Sequence, residues 1–150
     1  MTLELRHFTE KEFAEYESWF QNAQIKKALG YIDQEWLNHI LSDDKSDEWA
    51  VFSEELMVCV IGVALPAEDH PYYTVTNIAV KPELQRSGIA HAALTKILDH
   101  YNLASEISAW RSHVEIWNEA AINFFKNIGW QCDSKSESEI DKDMITFSWS

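Results

Sequence analysis

The sequence predicts a mixed α/β (α+β) domain in which one sheet carries helices on both faces. Three observations predict it. From Glu48 to Val80 the chain holds three β-rich segments separated by acidic or proline-containing turns, the pattern of consecutive antiparallel strands. From Tyr72 to Trp117 it reads strand, helix, strand, which needs a parallel pair joined by a right-handed crossover. On either side of these stretches, apolar residues recur with the helical period.

Taken in order, Leu3, Leu5 and His7 alternate with Glu4 and Arg6 and give a first strand. Thr9-Glu10-Lys11-Glu12 is a capping box, so a helix should run from there to about Asn22. Asp33 is placed to cap a second helix, with Trp36, Leu37, Ile40 and Leu41 on one apolar face. The three strands follow as Trp49–Phe52, Leu56–Leu65 and Tyr72–Val80. A helix from Ser87 to about Tyr101 buries Ala90, Leu94, Ile97, Leu98 and Tyr101, and His113–Trp117 is the next strand. Ala121, Phe124, Phe125 and Ile128 recur at i, i+3, i+4, i+7 in a last helix. Asn118 suits its N-cap and Gly129 its C′ position. The polar stretch Asp133–Asp143 then joins two final strands, the second marked by alternating Ile145, Phe147 and Trp149. The order is strand, two helices, three strands, helix, strand, helix, two strands: seven strands and about four helices.

A chain of 150 residues fits one domain over residues 1–150. At that size about 68–70% of the unfolded surface is buried, so folding requires neither disulfides nor a structural metal. With 12 Lys and Arg against 25 Asp and Glu, the formal net charge is −13 at pH 7. That balance argues against nucleic acid or an anionic membrane as partner and favours cationic molecules. The two cysteines, Cys59 and Cys132, form neither a disulfide framework nor a zinc site, which points to a reducing compartment and to no metal. No secretory signal is visible in the first residues, and the longest apolar run, Leu56–Leu65, is far short of the ~20 residues of a membrane span. The cytoplasm is the expected location.

Only four glycines occur, and one stands where chemistry can be expected. Gly88 lies in Gln85-Arg86-Ser87-Gly88-Ile89-Ala90, between a strand and a helix. Free amides at such a helix start can hold an anion, Gly88 lets it approach the main chain, and Arg86 adds a positive charge. Ser87 would otherwise serve as a plain helix cap. The loop has neither the ending of a P-loop nor the glycine spacing of a dinucleotide fold.

Two blocks together carry a resemblance. Tyr72-Tyr-Thr-Val-Thr-Asn-Ile-Ala-Val80 followed by Gln85-Arg-Ser-Gly-Ile-Ala90 resembles the strand, Q/R-x-x-G-x-G/A and helix of the GNAT superfamily of N-acetyltransferases. Asn118-Glu-Ala-Ala121-Ile-Asn-Phe124-Phe125-Lys-Asn-Ile-Gly129-Trp130 is similar to that family's next motif. The resemblance implies a mostly antiparallel seven-stranded sheet and an acetyl-CoA site. In that site the pyrophosphate lies on the amides of Gln85, Arg86, Ser87, Gly88, Ile89 and Ala90. The pantetheine runs beside Ile78, Ala79 and Val80, Asn118 bonds it, and Phe125 borders the thioester sulfur. An amide near Ile78 would polarise the thioester carbonyl.

The implied activity is acetyl transfer to a primary amine, by direct attack in a ternary complex and without an acetylated cysteine. The acceptor is a small cationic amine or a peptide or protein amine. Many members of the family take the amine proton with a carboxylate on the fourth strand and protonate the thiolate with a tyrosine in the last helix. Here Thr74, Thr76 and Asn77 stand where that carboxylate is expected, and Phe125 replaces the tyrosine. Candidate bases are Glu115, His113, His70 and Tyr73. Tyr31, Asp33, Glu35 and His70 are candidates for the acceptor pocket. Two other functions remain compatible with these residues: a CoA-binding regulatory module without turnover, and an acidic interaction domain. A homodimer through a strand edge near the C-terminus is compatible with the residues and not demanded by them.

Overall fold

The Thr9 capping box forms as its spacing predicts. The Thr9 amide donates to Glu12 Oε1 at 2.8 Å, and Thr9 Oγ1 accepts from the Lys11 amide at 3.2 Å. The structure, a computed structural model, describes residues 2–133 and 143–150. The order of elements is β1 (Leu3–His7), α1 (Glu10–Trp19), α2 (Ala23–Leu29), α3 (Gln34–Ser42), β2 (Ser46–Ser53), β3 (Leu56–Ala64) and β4 (Tyr73–Val80). A 3-10 turn (Pro82–Leu84) leads to α4 (Ile89–Ala104), β5 (Trp110–Glu115), α5 (Glu119–Asn127), β6 (Gln131–Asp133) and β7 (Met144–Trp149). The seven strands among the described residues form one sheet in the order β1-β2-β3-β4-β5-β7-β6. Every pairing is antiparallel except β4 with β5, the parallel pair expected from the crossover. Most of the connection expected between the last two strands, residues 134–142, lies outside the described residues.

Alternation along the strands divides the core in two, which is why helices cover both faces. Val51, Cys59, Ile61, Val75, Trp110 and Phe147 meet α4 and α5 on one face, whereas Ala50, Val60 and Ala79 meet Tyr16, Trp19 and Leu37 from α1 and α3 on the other. Trp19 and Trp130 are buried.

Several boundaries differ from expectation, among them that of β2, which starts at Ser46 and not at Trp49. The single helix expected from Thr9 to Asn22 is two: α1 ends at Trp19, and Asn22 Oδ1 accepts from the Gln24 and Ile25 amides at 3.1 Å to cap α2. Asparagine competes for main-chain donors and favours a cap over a helix interior, so the sheet carries five helices among the described residues. Helix α4 starts at Ile89 and not at Ser87, because Gly88 takes φ +85°. Strand β5 starts at Trp110, three residues before the expected His113, and Trp117 falls in the following turn. Its inward positions are Trp110, Ser112 and Val114, so a polar residue in the core hid the alternation. Ser112 is accommodated because its hydroxyl donates to the Val75 carbonyl at 3.1 Å.

Candidate active site

The site begins with a parallel pairing that stops early. Strands β4 and β5 pair only at Tyr73–Trp110 and Thr74–Arg111, and the Ser112–Val75 hydrogen bond marks the vertex beyond which they part. A bulge in β4 sets which groups face the opening. Gly62 pairs with Asn77 and Val63 with Val75, leaving Thr76 as the extra residue. The Tyr73 amide donates to Ala109 on the β5 side, whereas the Lys81 amide donates to Val58 on β3. Eight residues of unbroken alternation would put both on one side; the extra residue reconciles them. In consequence Ile78 and Val80 turn their main-chain groups into the opening, while Ala79 between them pairs with Val60.

At the far end of this free edge lies the start of α4. Arg86 has φ +64° and Gly88 φ +85°, a turn that gathers successive amides into a concave nest. Gly88 is the N-cap and offers no side chain, so the first helical amides lack a side-chain acceptor. A Cβ at Gly88 would meet nothing within 4 Å, and Gly88, Ile89 and Ala90 all line an open groove. Ser87 is not the cap: its hydroxyl donates back to the Leu84 carbonyl. The free edge and the nest belong to one groove of roughly 820 Å³, lined also by α2 and α5. A free strand edge leading to an amide nest fits a ligand with an extended amide-bearing arm and a phosphate end.

The expected residues divide between this groove and elsewhere. Ile78, Ala79, Val80, Gln85, Arg86, Gly88, Ile89, Ala90, His113, Glu115, Asn118 and Phe125 line it. Asn118 Oδ1 accepts from the Ala121 amide at 3.2 Å as a helix cap, leaving its NH2 group to a ligand. Phe125 is 3% exposed, stacked 5.4 Å from Phe147. His113 Nδ1 is engaged with Thr146 Oγ1 at 2.9 Å. Glu115 accepts from Trp117 Nε1 at 2.6 Å, and Lys27 of α2 lies 4.3 Å above the Trp117 ring, tying the two sides of the groove together.

Tyr73 is not at the mouth: its position in β4 points it under α4, where it stacks 4.7 Å from Trp110. Tyr31, Asp33, Glu35 and His70 do not line the groove. Tyr31 is exposed beside a separate shallow depression between α1 and α2, and Asp33 Oδ1 is spent capping α3 through the Trp36 amide at 2.8 Å. Glu35 lies in the exposed first turn of α3, and His70 in the turn before β4. Cys59 is fully buried, which pushes its thiol well up.

A carboxylate does reach the bulge, from β2, two strands away. Glu48 of β2 pairs with Gly62 of β3, which pairs with Asn77 of β4, on the face covered by α1 to α3. Asn77 Nδ2 donates to Glu48 Oε2 at 2.8 Å across the bare Cα of Gly62. Burial pushes the Glu48 carboxyl up to about 7, against the Asn77 hydrogen bond, which favours the carboxylate. The signal in the sequence was the glycine inside an otherwise apolar strand, which marks a close approach of something else.

Comparison with solved structures gives the fold. A spermidine N-acetyltransferase from Vibrio cholerae, in complex with CoA and spermine, superposes with a TM-score of 0.77 at 16% identity, covering 98% of this chain and 94% of that one. An acetyltransferase from Salmonella typhimurium that modifies the N-terminal serine of ribosomal protein L7/L12 gives 0.82 at 16% identity over 99% and 95%. An N-acetyltransferase from Thermoplasma acidophilum in complex with coenzyme A gives 0.72 at 12% identity over 99% and 98%. No curated protein sequence matches the chain significantly. The family model for the acetyltransferase (GNAT) family matches residues 6–130, from β1 through the groove to the end of α5, and the chain with this parted sheet and amide nest belongs to that family.

Proposed function

We propose that the chain transfers an acetyl group from acetyl-CoA to a primary amine, either a small cationic amine or the amine of a peptide or protein. The observation that carries this reading is the free β4 edge that ends on the Arg86–Gly88 amide nest within one groove. Acetyl-CoA supplies an acyl group activated as a thioester. The amides around Gln85 to Ala90, with Arg86, would hold its pyrophosphate, and Ile78 and Val80 would pair with its amide arm as an added strand does. The Asn118 amide group would bond the same arm, and Phe125 would close the groove where the thioester lies. Phe125 has no hydroxyl to offer a leaving thiolate, but thiols ionise near neutral pH and need little help.

Direct attack in a ternary complex fits the cysteines, since buried Cys59 lies outside the groove lining and so does Cys132. For the acceptor, a net charge of −13 draws cations. The structural neighbours point to the same chemistry, since one bears spermine and another modifies an N-terminal serine. Two free cysteines suit a reducing compartment such as the cytoplasm. No helix among the described residues is long and apolar enough to cross a membrane.

The test is incubation with acetyl-CoA and a panel of spermidine, spermine and a peptide with a free N-terminal serine, following thiol release and product mass. Acetylated amine with unmodified protein is the expected result. CoA binding without acetylation of any member would replace the enzyme with a CoA-binding module, which the phenylalanine at position 125 would then explain. An acetyl adduct on Cys132 in protein mixed with acetyl-CoA alone would overturn direct attack.

A further inference from the structure

We propose that Glu48, on β2, is the base that takes the proton of the acceptor ammonium, replacing at the β4 bulge a carboxylate that β4 does not carry; the assignment rests on the acetyltransferase reading. An alkylammonium has a pKa near 10.4 and cannot attack until it is neutral. Between Tyr73 and Val80 there is no acidic side chain. What the bulge offers instead is a pair of neutral side chains, Thr76 and Asn77, brought onto one face opposite Gly62. Thr76 Oγ1 donates to Asn77 Oδ1 at 3.0 Å and Asn77 Nδ2 donates to Glu48 Oε2 at 2.8 Å. Thr76 and Asn77 line the groove and Glu48 does not, so the Glu48 carboxyl stands one hydrogen bond behind its wall, and the proton would reach it by way of a water.

Gly62 makes the reach possible. A Cβ there would come within 2.8 Å of Glu48 Oε1 and closer still to Thr76 Oγ1 and Asn77 Oδ1. Glycine in the middle of a buried strand costs stability, and here its absent side chain is the space the Glu48–Asn77 hydrogen bond occupies. Glu48 Oε1 has no hydrogen-bond partner among the described residues, leaving one oxygen for a proton.

The surroundings suit a group that exchanges a proton near neutral pH. From α1 comes Tyr16, whose phenol is held protonated by burial and by the charge of Glu48. From β3 comes Gly62, which has no side chain, and from β4 come only neutral Thr76 and Asn77. Across the gap, His113 and Glu115 are engaged with Thr146 and Trp117. No cation among the described residues faces Glu48, and its raised carboxyl matches the working pH of a base. In the step, the ammonium N–H bond breaks, its electron pair stays on nitrogen, and Glu48 becomes a carboxylic acid that returns the proton to solvent. The new C–N bond then forms as the C–S bond breaks, and the second nitrogen proton leaves with the thiol.

The experiment is the pH dependence of kcat at saturating acetyl-CoA, with whichever of spermidine or the N-terminal serine peptide the wild-type chain acetylates. Wild-type kcat should rise to a plateau through about pH 7. Glu48→Gln should lower kcat by about 100- to 1,000-fold at pH 7.5. It should also move the plateau up to the pKa of the amine itself, about 10.4 for spermidine and about 8 for the peptide N-terminus, with the rate climbing about tenfold per pH unit below it. Gly62→Ala, which leaves the carboxyl present but displaces it, should shift the profile the same way. CoA affinity should stay within about twofold in both. A plateau retained in Glu48→Gln with wild-type kcat would overturn the assignment alone. No transfer by the wild-type chain to either amine would overturn the acetyltransferase reading and this assignment with it.

Discussion

The two ends of the groove are built from different material. The end at α4 is main chain: amides of the Arg86–Gly88 turn and the free edge of Ile78 and Val80. The end at the bulge is side chain: Thr76 and Asn77 of β4 form its wall, and Glu48 of β2, 29 residues from Asn77, meets Asn77 behind that wall over Gly62. The contrast teaches where each function is vulnerable. A main-chain site is lost when the backbone is strained or blocked and is indifferent to most side chains. A side-chain site is lost by changing one functional group, even when the backbone does not move. Binding and proton transfer should therefore fail separately.

The largest effect that sharpens this contrast is expected from Gly88→Glu. It puts a bulky anion where the phosphate would lie and forces a side chain onto φ +85°, so Kd for CoA by calorimetry should rise about 1,000-fold, or about 4 kcal/mol. Retained affinity would remove the nest from the account.

Next comes Glu48→Gln read as stability, and here the sign runs against the usual carboxylate. Burial pushes the folded-state carboxyl up to about 7 from its ordinary 4.5, so between those pH values the folded protein holds a proton that the unfolded chain gives up. Stability from this group therefore falls as pH rises from about 4.5 to 7, and the penalty is complete above 7. Urea unfolding at pH 8 should find Glu48→Gln more stable than wild type by about 1–3 kcal/mol, allowing for partial exposure, and equal to it near pH 4. A variant more stable yet slower has given up function and kept structure. Equal stability at both pH values would mean that the carboxyl is not perturbed.

Gly62→Ala should act in the opposite direction, costing about 1–3 kcal/mol because the added methyl meets three oxygens inside contact distance. Asn118→Ala should have the smallest effect, about 1 kcal/mol for the lost α5 cap, with a modest weakening of CoA. A CoA affinity unchanged in that variant would restrict Asn118 to capping.

The same contrast decides what was legible in the sequence. Gln85 to Ala90 is contiguous, and a glycine before a helix with arginine beside it announces an amide nest locally. Asn118 and Gly129 announced α5 in the same way, and Gly129 takes φ +91° past its end. Strand pairing across the sheet is not local. Glu48 sits in an acidic run, Asp47-Glu48, that reads as a solvated turn until the β2–β3 register sets it opposite Gly62. Tyr73 failed as a site residue for a related reason. Strand alternation gives two faces but not which face opens on the groove, and the bulge at Thr76 reverses the assignment for everything beyond it. Asn22 stands where the helical pattern begun at Thr9 ends, and its side chain is the start of the next helix.

The most direct measurement is thermal unfolding of wild type, Gly88→Glu and Glu48→Gln with and without CoA at 100 times its wild-type Kd. Wild type and Glu48→Gln should each gain about 2.7 kcal/mol, a rise in Tm of about 5–10 °C, and Gly88→Glu should gain nothing. Loss of the rise in Glu48→Gln, or its persistence in Gly88→Glu, would contradict a groove whose binding end is main chain and whose proton-transfer end is side chain.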